Sequence, residues 1–152
     1  MNKIVYNDCY GGFELSNKAI YEICKRKNIP IFFYKEDTSK GWHKTIFTKM
    51  SIEEALSTKE FTAKSYKDYG DTFVRNSPIY DEFNKDFISY PIDSRHDPIL
   101  VQVVEELGDE ASGEYARLRI YETDSDRYRI DEYDGAESVI TPEIDNQNYI
   151  II

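Results

Sequence analysis

The sequence predicts an α+β fold, or a mixed α/β fold, in a single domain spanning residues 1–152. Of the 152 residues, 40% are hydrophobic, which is enough for the chain to bury a core of its own. Two segments carry apolar residues at the three- and four-residue spacing of a helix, and a third alternates apolar and polar residues as a strand does. We therefore expect a small sheet with an N-terminal β-α-β-like unit, a helix near residues 98–107 and a C-terminal hairpin.

The N-terminal segment predicts a strand, a helix and a second strand. Residues 3–8 are typical of a short strand, which the Gly11-Gly12 pair ends. Ser16 is placed to cap a helix that closes on three basic residues, where positive charge complements the carbonyl end. Residues 29–34 predict a buried strand. The crossover is too short to fix the relative direction of the two strands.

The middle of the chain, residues 35–90, gives the weakest pattern. Residues 44–48 predict a strand, and Ser51 with Glu54 forms a capping box before a short helix. The remainder is polar and aromatic without a clear period. It predicts either loops with short helical turns or a segment that a partner chain orders.

The last third begins with a helix. Asp97-Pro98 combines an N-cap with proline at the first helical position, and Gly108 is the expected stop after Leu107. Residues 115–121 then alternate strictly, with two arginines and two tyrosines on one face.

Turn signals follow that strand. The turn at residues 124–126 leads to a second strand over 127–130 and predicts a hairpin. Asp134-Gly135 marks another turn, and residues 149–152 predict a final strand.

The charge of the chain excludes one large class of partner. There are 29 acidic against 19 basic residues, a formal net charge of −10. Binding to a nucleic acid backbone needs clustered Lys and Arg, so we expect no nucleic-acid partner. The sequence shows neither a secretory signal nor an apolar run long enough for a membrane, which predicts a cytoplasmic protein with two free thiols, Cys9 and Cys24.

Local positive charge within this acidic chain marks a candidate site for a small anionic nucleotide. Guanidinium groups bind phosphate in a bidentate manner, tyrosine rings stack on a purine, and backbone amides near paired glycines can hold an anion. The alternative is an exposed hairpin face on which Arg pairs with carboxylates, next to a tight glycine turn. The candidate ligand-binding residues are Gly11, Gly12, Phe13, Arg95, His96, Tyr115, Arg117, Arg119 and Tyr121.

Catalytic and metal chemistry receive little support. Cys9 precedes a helix and could be a nucleophile with His43 or His96 as base, but no local pattern links them, and a structural thiol is favoured. His96 with Asp93 has suitable metal-ligand types, yet Asp97 beside it already serves as a helix cap. We expect no catalytic residue, no metal and no cofactor.

Two stretches, KIVYNDCYGGFELS and DPILVQVVEELGDEASGEYARLRIYE, the second followed by DEYDG, resemble a family of small bacteriophage and prophage proteins. The chain is also similar to the phage Thoeris anti-defence sponge proteins. This resemblance implies a host-cell protein that sequesters a cyclic ADP-ribose-type immune signal without cleaving it, and that acts as a homo-oligomer. It assigns no binding residue here.

Two other functions stay open. One is an acidic inhibitor that binds a host protein by mimicking the charge of DNA. The other is a small phosphodiesterase or hydrolase that uses Cys9 or His96.

Overall fold

The computed structural model describes residues 1–86, 90–143 and 149–152, and it confirms the α+β class. Over these residues it has four α-helices and nine strands in three antiparallel sheets. The chain divides into two compact units. The first unit is Met1–Ile23 with Ile92–Ile152, and the second unit is Cys24–Pro91. Whether both fold as the one expected domain stays a prediction.

The helices and strands follow one another in mixed order along the chain. They are β1 (Asn2–Asn7), α1 (Asn17–Lys27), β2 (Phe32–Asp37), β3 (Ile46–Lys49), α2 (Ile52–Ser57), β4 (Ala63–Ser65), β5 (Thr72–Val74), α3 (Pro78–Lys85), α4 (Pro98–Leu107), β6 (Leu118–Thr123), β7 (Arg127–Tyr133), β8 (Ala136–Ile140) and β9 (Ile150–Ile151). Among the described residues, no helix combines the length and apolar character needed to cross a bilayer.

The predicted strand–helix–strand order at the N-terminus is present. The Ser16 hydroxyl accepts a hydrogen bond from the amide of Ala19 at 3.1 Å, which confirms the predicted cap of α1. β2 begins at Phe32, three residues later than expected. β1 and β2 lie in different sheets, so the short crossover does not have to join neighbouring strands.

The first unit contains two of the sheets. β1 pairs with β6, and α4 packs against both strands with Leu100 and Val103 fully buried. Asp97 caps α4 as predicted, since its carboxylate accepts from the amides of Ile99 and Leu100. The second sheet has the order β8-β7-β9, and Ile4, Tyr128 and Val139 form a buried cluster in this unit.

The predicted hairpin across residues 124–126 is wrong. β6 pairs with β1, and β7 pairs with β8 and β9 instead of with β6. The C-terminal hairpin is instead β7–β8, closed by Asp134-Gly135 with φ of 52° and 90°. These left-handed values are those of a two-residue hairpin turn, so the local signal at Asp134-Gly135 was correct.

The second unit is more ordered than the expected loops. Its sheet has the order β4-β2-β3-β5, and Ser51 caps α2 through the amide of Glu54 at 3.1 Å. The core is aromatic: the Phe47 and Phe73 rings stack at 5.0 Å between centroids, and Phe83 of α3 lies 5.1 Å from Phe73. Ring packing therefore contributes to the order of the segment from Tyr69 to Phe83, and a role for a partner chain stays a prediction.

Candidate functional site

Three segments of the first unit meet beyond the end of β1 with their backbones in contact. They are the loop 8–13, the segment 113–117 before β6 and the β7–β8 turn, and we call the surface they form the tyrosine junction. A Cβ atom added to Gly11 would lie 1.7 Å from the carbonyl oxygen of Tyr115. One added to Gly135 would lie 2.5 Å from the carbonyl oxygen of Tyr10. Glycine is required at both positions because a backbone atom occupies the space of a side chain.

The buried side chain of Asn7 joins the three segments. Its amide nitrogen donates to the carbonyl of Cys9 at 2.7 Å and to that of Gly135 at 2.9 Å. Its amide oxygen accepts from the backbone N–H of Arg117 at 2.8 Å. Asn7 has no solvent exposure, so these bonds form away from water and fix the relative position of the segments.

Three tyrosine rings stand exposed on the segments that Asn7 joins. The exposed fractions are 72% for Tyr10, 67% for Tyr115 and 78% for Tyr133, the last residue of β7. Isolated exposed aromatics are common on protein surfaces, whereas these three lie on segments whose relative position Asn7 fixes. Sequence reasoning selected only Tyr115, because the segments that carry Tyr10 and Tyr133 are joined to the segment of Tyr115 by contacts between residues distant in sequence.

Arg95 is engaged within the protein. Its guanidinium forms a bidentate ion pair with Glu137 at 2.7 and 2.8 Å and lies 3.5 Å over the ring centroid of Phe13. The carboxylate of Glu137 also accepts a hydrogen bond from the backbone N–H of Asn7 at 2.8 Å. The structure therefore brings the predicted residues Arg95 and Phe13 together, as an internal stack that ties the segment before α4 to β8 and β1.

His96 and Tyr121 also face inward. The Nδ1 atom of His96 lies 2.8 Å from the hydroxyl of Tyr128, which is fully buried. Burial raises the pKa of Tyr128 above its usual value, so the phenol stays protonated and hydrogen-bonded to the imidazole. Tyr121 packs against the cluster of Ile4, Tyr128 and Val139. These two predicted site residues belong to the packing of the first unit.

Arg117 and Arg119 are each half-exposed beside a carboxylate. Arg117 lies 3.3 Å from the carboxylate of Asp8 and donates to the carbonyl of the same residue, and Arg119 lies 3.2 Å from Asp109. The predicted alternative, in which Arg pairs with carboxylates, describes this unit better than an open cationic cluster does. All five arginines of the first unit form ion pairs: Arg95 with Glu137, Arg117 with Asp8, Arg119 with Asp109, Arg127 with Asp126 and Arg129 with Asp131.

The remaining chemical candidates gain no support from the geometry. The Cys9 thiol donates to the carbonyl oxygen of Tyr115 at 3.0 Å, which is a structural contact of the junction. Gly12 has a φ of 88°, the left-handed value of a glycine turn, and α1 begins only at Asn17. Within the described ranges, no group of three His, Cys, Asp or Glu side chains is arranged to hold a metal ion.

Charge is divided unevenly between the two units, which whole-chain composition conceals. The first unit has 7 basic and 19 acidic residues, a net charge of −12. The second unit has 12 basic and 10 acidic residues, a net charge of +2. Sequence reasoning also passed over Trp42, the single tryptophan, which is 64% exposed in a basic loop. Counting the net charge over short segments of the sequence could have indicated this loop.

Comparison of the chain with known protein families, with curated proteins and with solved structures finds no match. Fold and site define an α+β protein with two compact units. Its acidic first unit carries the tyrosine junction.

Proposed function

We propose that this protein is a phage-type antagonist of host defence that binds a host protein as an acidic inhibitor, without catalysing a reaction. The observation that carries the proposal is the tyrosine junction: Tyr10, Tyr115 and Tyr133 are exposed on segments that Asn7 locks together. Tyrosine is enriched among the residues that contribute most binding energy at interfaces. A fixed scaffold lowers the entropy lost when such rings are buried by a partner.

Electrostatics indicate what kind of partner the first unit suits. Its net charge is −12, and each of its arginines is already paired with a carboxylate. The excess carboxylates therefore set the field around the unit and attract a cationic surface. A host enzyme that acts on nucleic acid presents such a surface, which is the target expected of an inhibitor that imitates DNA.

The stretches that carry the family resemblance also support the tyrosine junction as the binding surface. KIVYNDCYGGFELS supplies β1 and the loop with Gly11 and Gly12, the second stretch supplies α4 and β6, and DEYDG supplies the β7–β8 turn. All three contribute backbone to the tyrosine junction. A function shared through those stretches would use this surface.

The test is competitive capture. The immobilised chain is exposed to lysate of a bacterial host, and bound protein is eluted with duplex DNA or with salt. We expect a nucleic-acid-binding enzyme that duplex DNA displaces, and we expect its loss with the triple variant Tyr10→Ala, Tyr115→Ala, Tyr133→Ala. Phe61→Ala, which removes a ring 65% exposed in the second unit, is the matched control. Capture that survives the triple variant, or that DNA does not displace, contradicts the proposal.

Sequestration of a cyclic ADP-ribose-type nucleotide is the second candidate. The observation in its favour is that Arg117, half-exposed, lies within the same junction as Tyr115, so stacking and a phosphate contact are available together. The carboxylate of Asp8 lies beside Arg117 and would repel the phosphate of a nucleotide, so this is the weaker candidate. The resemblance that suggests this ligand also suggests a second copy of the chain as partner.

Thermal unfolding with cyclic ADP-ribose tests the nucleotide candidate. Ligand at about 100 times its dissociation constant should stabilise the chain by about 2.7 kcal/mol, and denaturation should release it unchanged. Arg117→Gln should abolish the effect. Absence of any shift removes this candidate, whereas recovery of a hydrolysed product would favour the phosphodiesterase or hydrolase alternative.

A further inference from the structure

The loop between β2 and β3 is the most cationic exposed segment of the second unit that also carries an exposed aromatic ring. Residues 40–44, which we call the tryptophan loop, read Lys-Gly-Trp-His-Lys, and all five are exposed. They lie in the unit whose net charge is +2, although the whole chain carries −10. The exclusion of nucleic-acid partners, drawn from the total charge, therefore does not extend to this loop, because exposed charges act over about 8 Å.

Arg75 holds the Trp42 ring in a fixed position. Its guanidinium carbon lies 3.5 Å from the centroid of the indole, and Nη1 donates to the carbonyl of Trp42 and to the hydroxyl of Thr45 at 3.3 and 3.0 Å. Nη2 lies 3.5 Å from Glu36, and only 9% of the Arg75 side chain is exposed. A buried side chain thus orders an exposed ring, which lowers the entropy that a ligand would lose by stacking on it.

The backbone of the tryptophan loop is fixed as well. The amide of Gly41 donates to the carbonyl of Thr38, the amide of Lys44 to that of Gly41, and the amide of Thr45 to that of Trp42, at 3.0 to 3.2 Å. Gly41 has a φ of 101° with no atom within 4 Å of an added Cβ, so the turn is tight but uncrowded. The backbone from which Trp42 and the two flanking lysines project is therefore held in one arrangement.

The two faces of the indole differ chemically. One face rests on a guanidinium, which draws π-electron density toward itself and makes the outer face a poorer site for a second cation. A neutral planar ring stacks well on such a face. Lys44 makes no ion pair among the described residues, so its ammonium group is available to an anion attached to that ring.

We propose that the tryptophan loop binds a nucleobase bearing a phosphate, with the base stacked on Trp42 and the phosphate paired with Lys40 and Lys44. Arg75 acts as a positioning residue, since it orders the indole without reaching the outer face. The same chemistry is offered by a free nucleotide and by single-stranded nucleic acid. This site lies in the second unit and is independent of the function proposed for the tyrosine junction of the first.

Fluorescence tests the proposal directly, because Trp42 is the only tryptophan and its emission reports this loop alone. The full chain is titrated with adenosine monophosphate, adenosine, inorganic phosphate, single-stranded oligodeoxyadenylate and a DNA duplex. We expect saturable quenching by the monophosphate or the single strand, at least tenfold weaker binding of adenosine, and no quenching by phosphate. Saturation by the monophosphate identifies a nucleotide site, and saturation by the single strand alone identifies a single-strand site.

Charge-reversal variants distinguish binding at the tryptophan loop from collisional quenching of Trp42 emission. Lys40→Glu with Lys44→Glu should weaken binding at least tenfold, whereas Lys25→Glu with Lys85→Glu makes the same change of charge elsewhere in the unit and should leave it unchanged. Arg75→Lys keeps the charge but loses the planar stack, and it should shift Trp42 emission in the free protein and weaken stacking. Absence of saturable quenching, or equal quenching of the wild type and the Lys40/Lys44 variant, would overturn the proposal. The lysines are exposed, so their replacement tests the site without depending on the fold.

Discussion

Replacing Asn7 with Ala should destabilise the first unit by about 3 kcal/mol or more. The substitution leaves the carbonyls of Cys9 and Gly135 and the N–H of Arg117 without their partner, and each buried unsatisfied group costs about 1–3 kcal/mol. Urea unfolding measures the loss. Asn84→Ala, on the exposed side of α3, should change stability by less than about 0.5 kcal/mol. A loss below about 1 kcal/mol for Asn7→Ala would contradict the role given to this side chain.

The neighbouring glycines Gly11 and Gly12 should respond differently to Ala. Gly11→Ala places a methyl group 1.7 Å from the backbone oxygen of Tyr115, so we expect a loss of about 3 kcal/mol and a displaced Tyr115. Gly12→Ala meets no atom within 4 Å but must hold a φ of 88°, a left-handed conformation that costs about 1–2 kcal/mol. Thermal unfolding of both variants checks the order. Equal losses would show that Gly11 is not in contact with the segment before β6.

At the scale of elements, the Arg95–Glu137 ion pair connects the segment before α4 to β8. Glu137 also connects β8 to β1, because its carboxylate accepts a hydrogen bond from the backbone N–H of Asn7. Arg95→Gln or Glu137→Gln alone should cost about 3 kcal/mol, because each leaves a charge largely buried without its partner. The double variant should cost about 2 kcal/mol less than the sum of the two. The exposed pair Lys18–Glu110 is the matched control, with an expected coupling below about 1 kcal/mol. Additive effects at Arg95 and Glu137 would mean that the two groups act separately.

Elements were predictable from sequence where their signals are local. The caps of α1, α2 and α4 depend on Ser16, Ser51 and Asp97, whose partners lie within three residues. Strand pairing was not predictable in the same way. The predicted turn at residues 124–126 does separate β6 from β7. The two strands do not pair with each other, because β6 pairs with β1, which is distant in sequence. Asn7 escaped notice for the same reason, since two of its partners lie 110 and 128 residues away.

At the scale of the whole molecule, total charge was a poor guide because it averages two units of −12 and +2. The net negative charge of the chain lies in the first unit, and the arginines there are paired with carboxylates, which was the predicted alternative to a cationic site. The second unit was the weakest part of the prediction. Its strands β4 and β5 have three residues each, too short for a periodic pattern, and they are held by aromatic packing that only the folded chain reveals.

The second unit should lose stability as the pH rises from about 9 to about 11. Burial raises the pKa of the Cys24 thiol from 9.0 to about 11, so between these values the folded state holds a proton that the unfolded state has released. The stabilisation is complete below about pH 9 and lost above about pH 11, a change of about 2–3 kcal/mol. Urea unfolding followed by Trp42 emission measures it, because the only tryptophan lies in this unit. Cys24→Ala should remove the decline between about pH 9 and 10 and reduce it up to pH 11. The decline from Tyr66, whose pKa is raised from 10.0 to about 12 by burial and by the nearby Cys24 thiolate, should persist above pH 10. An unchanged slope in Cys24→Ala would show that the thiol does not carry this pH dependence.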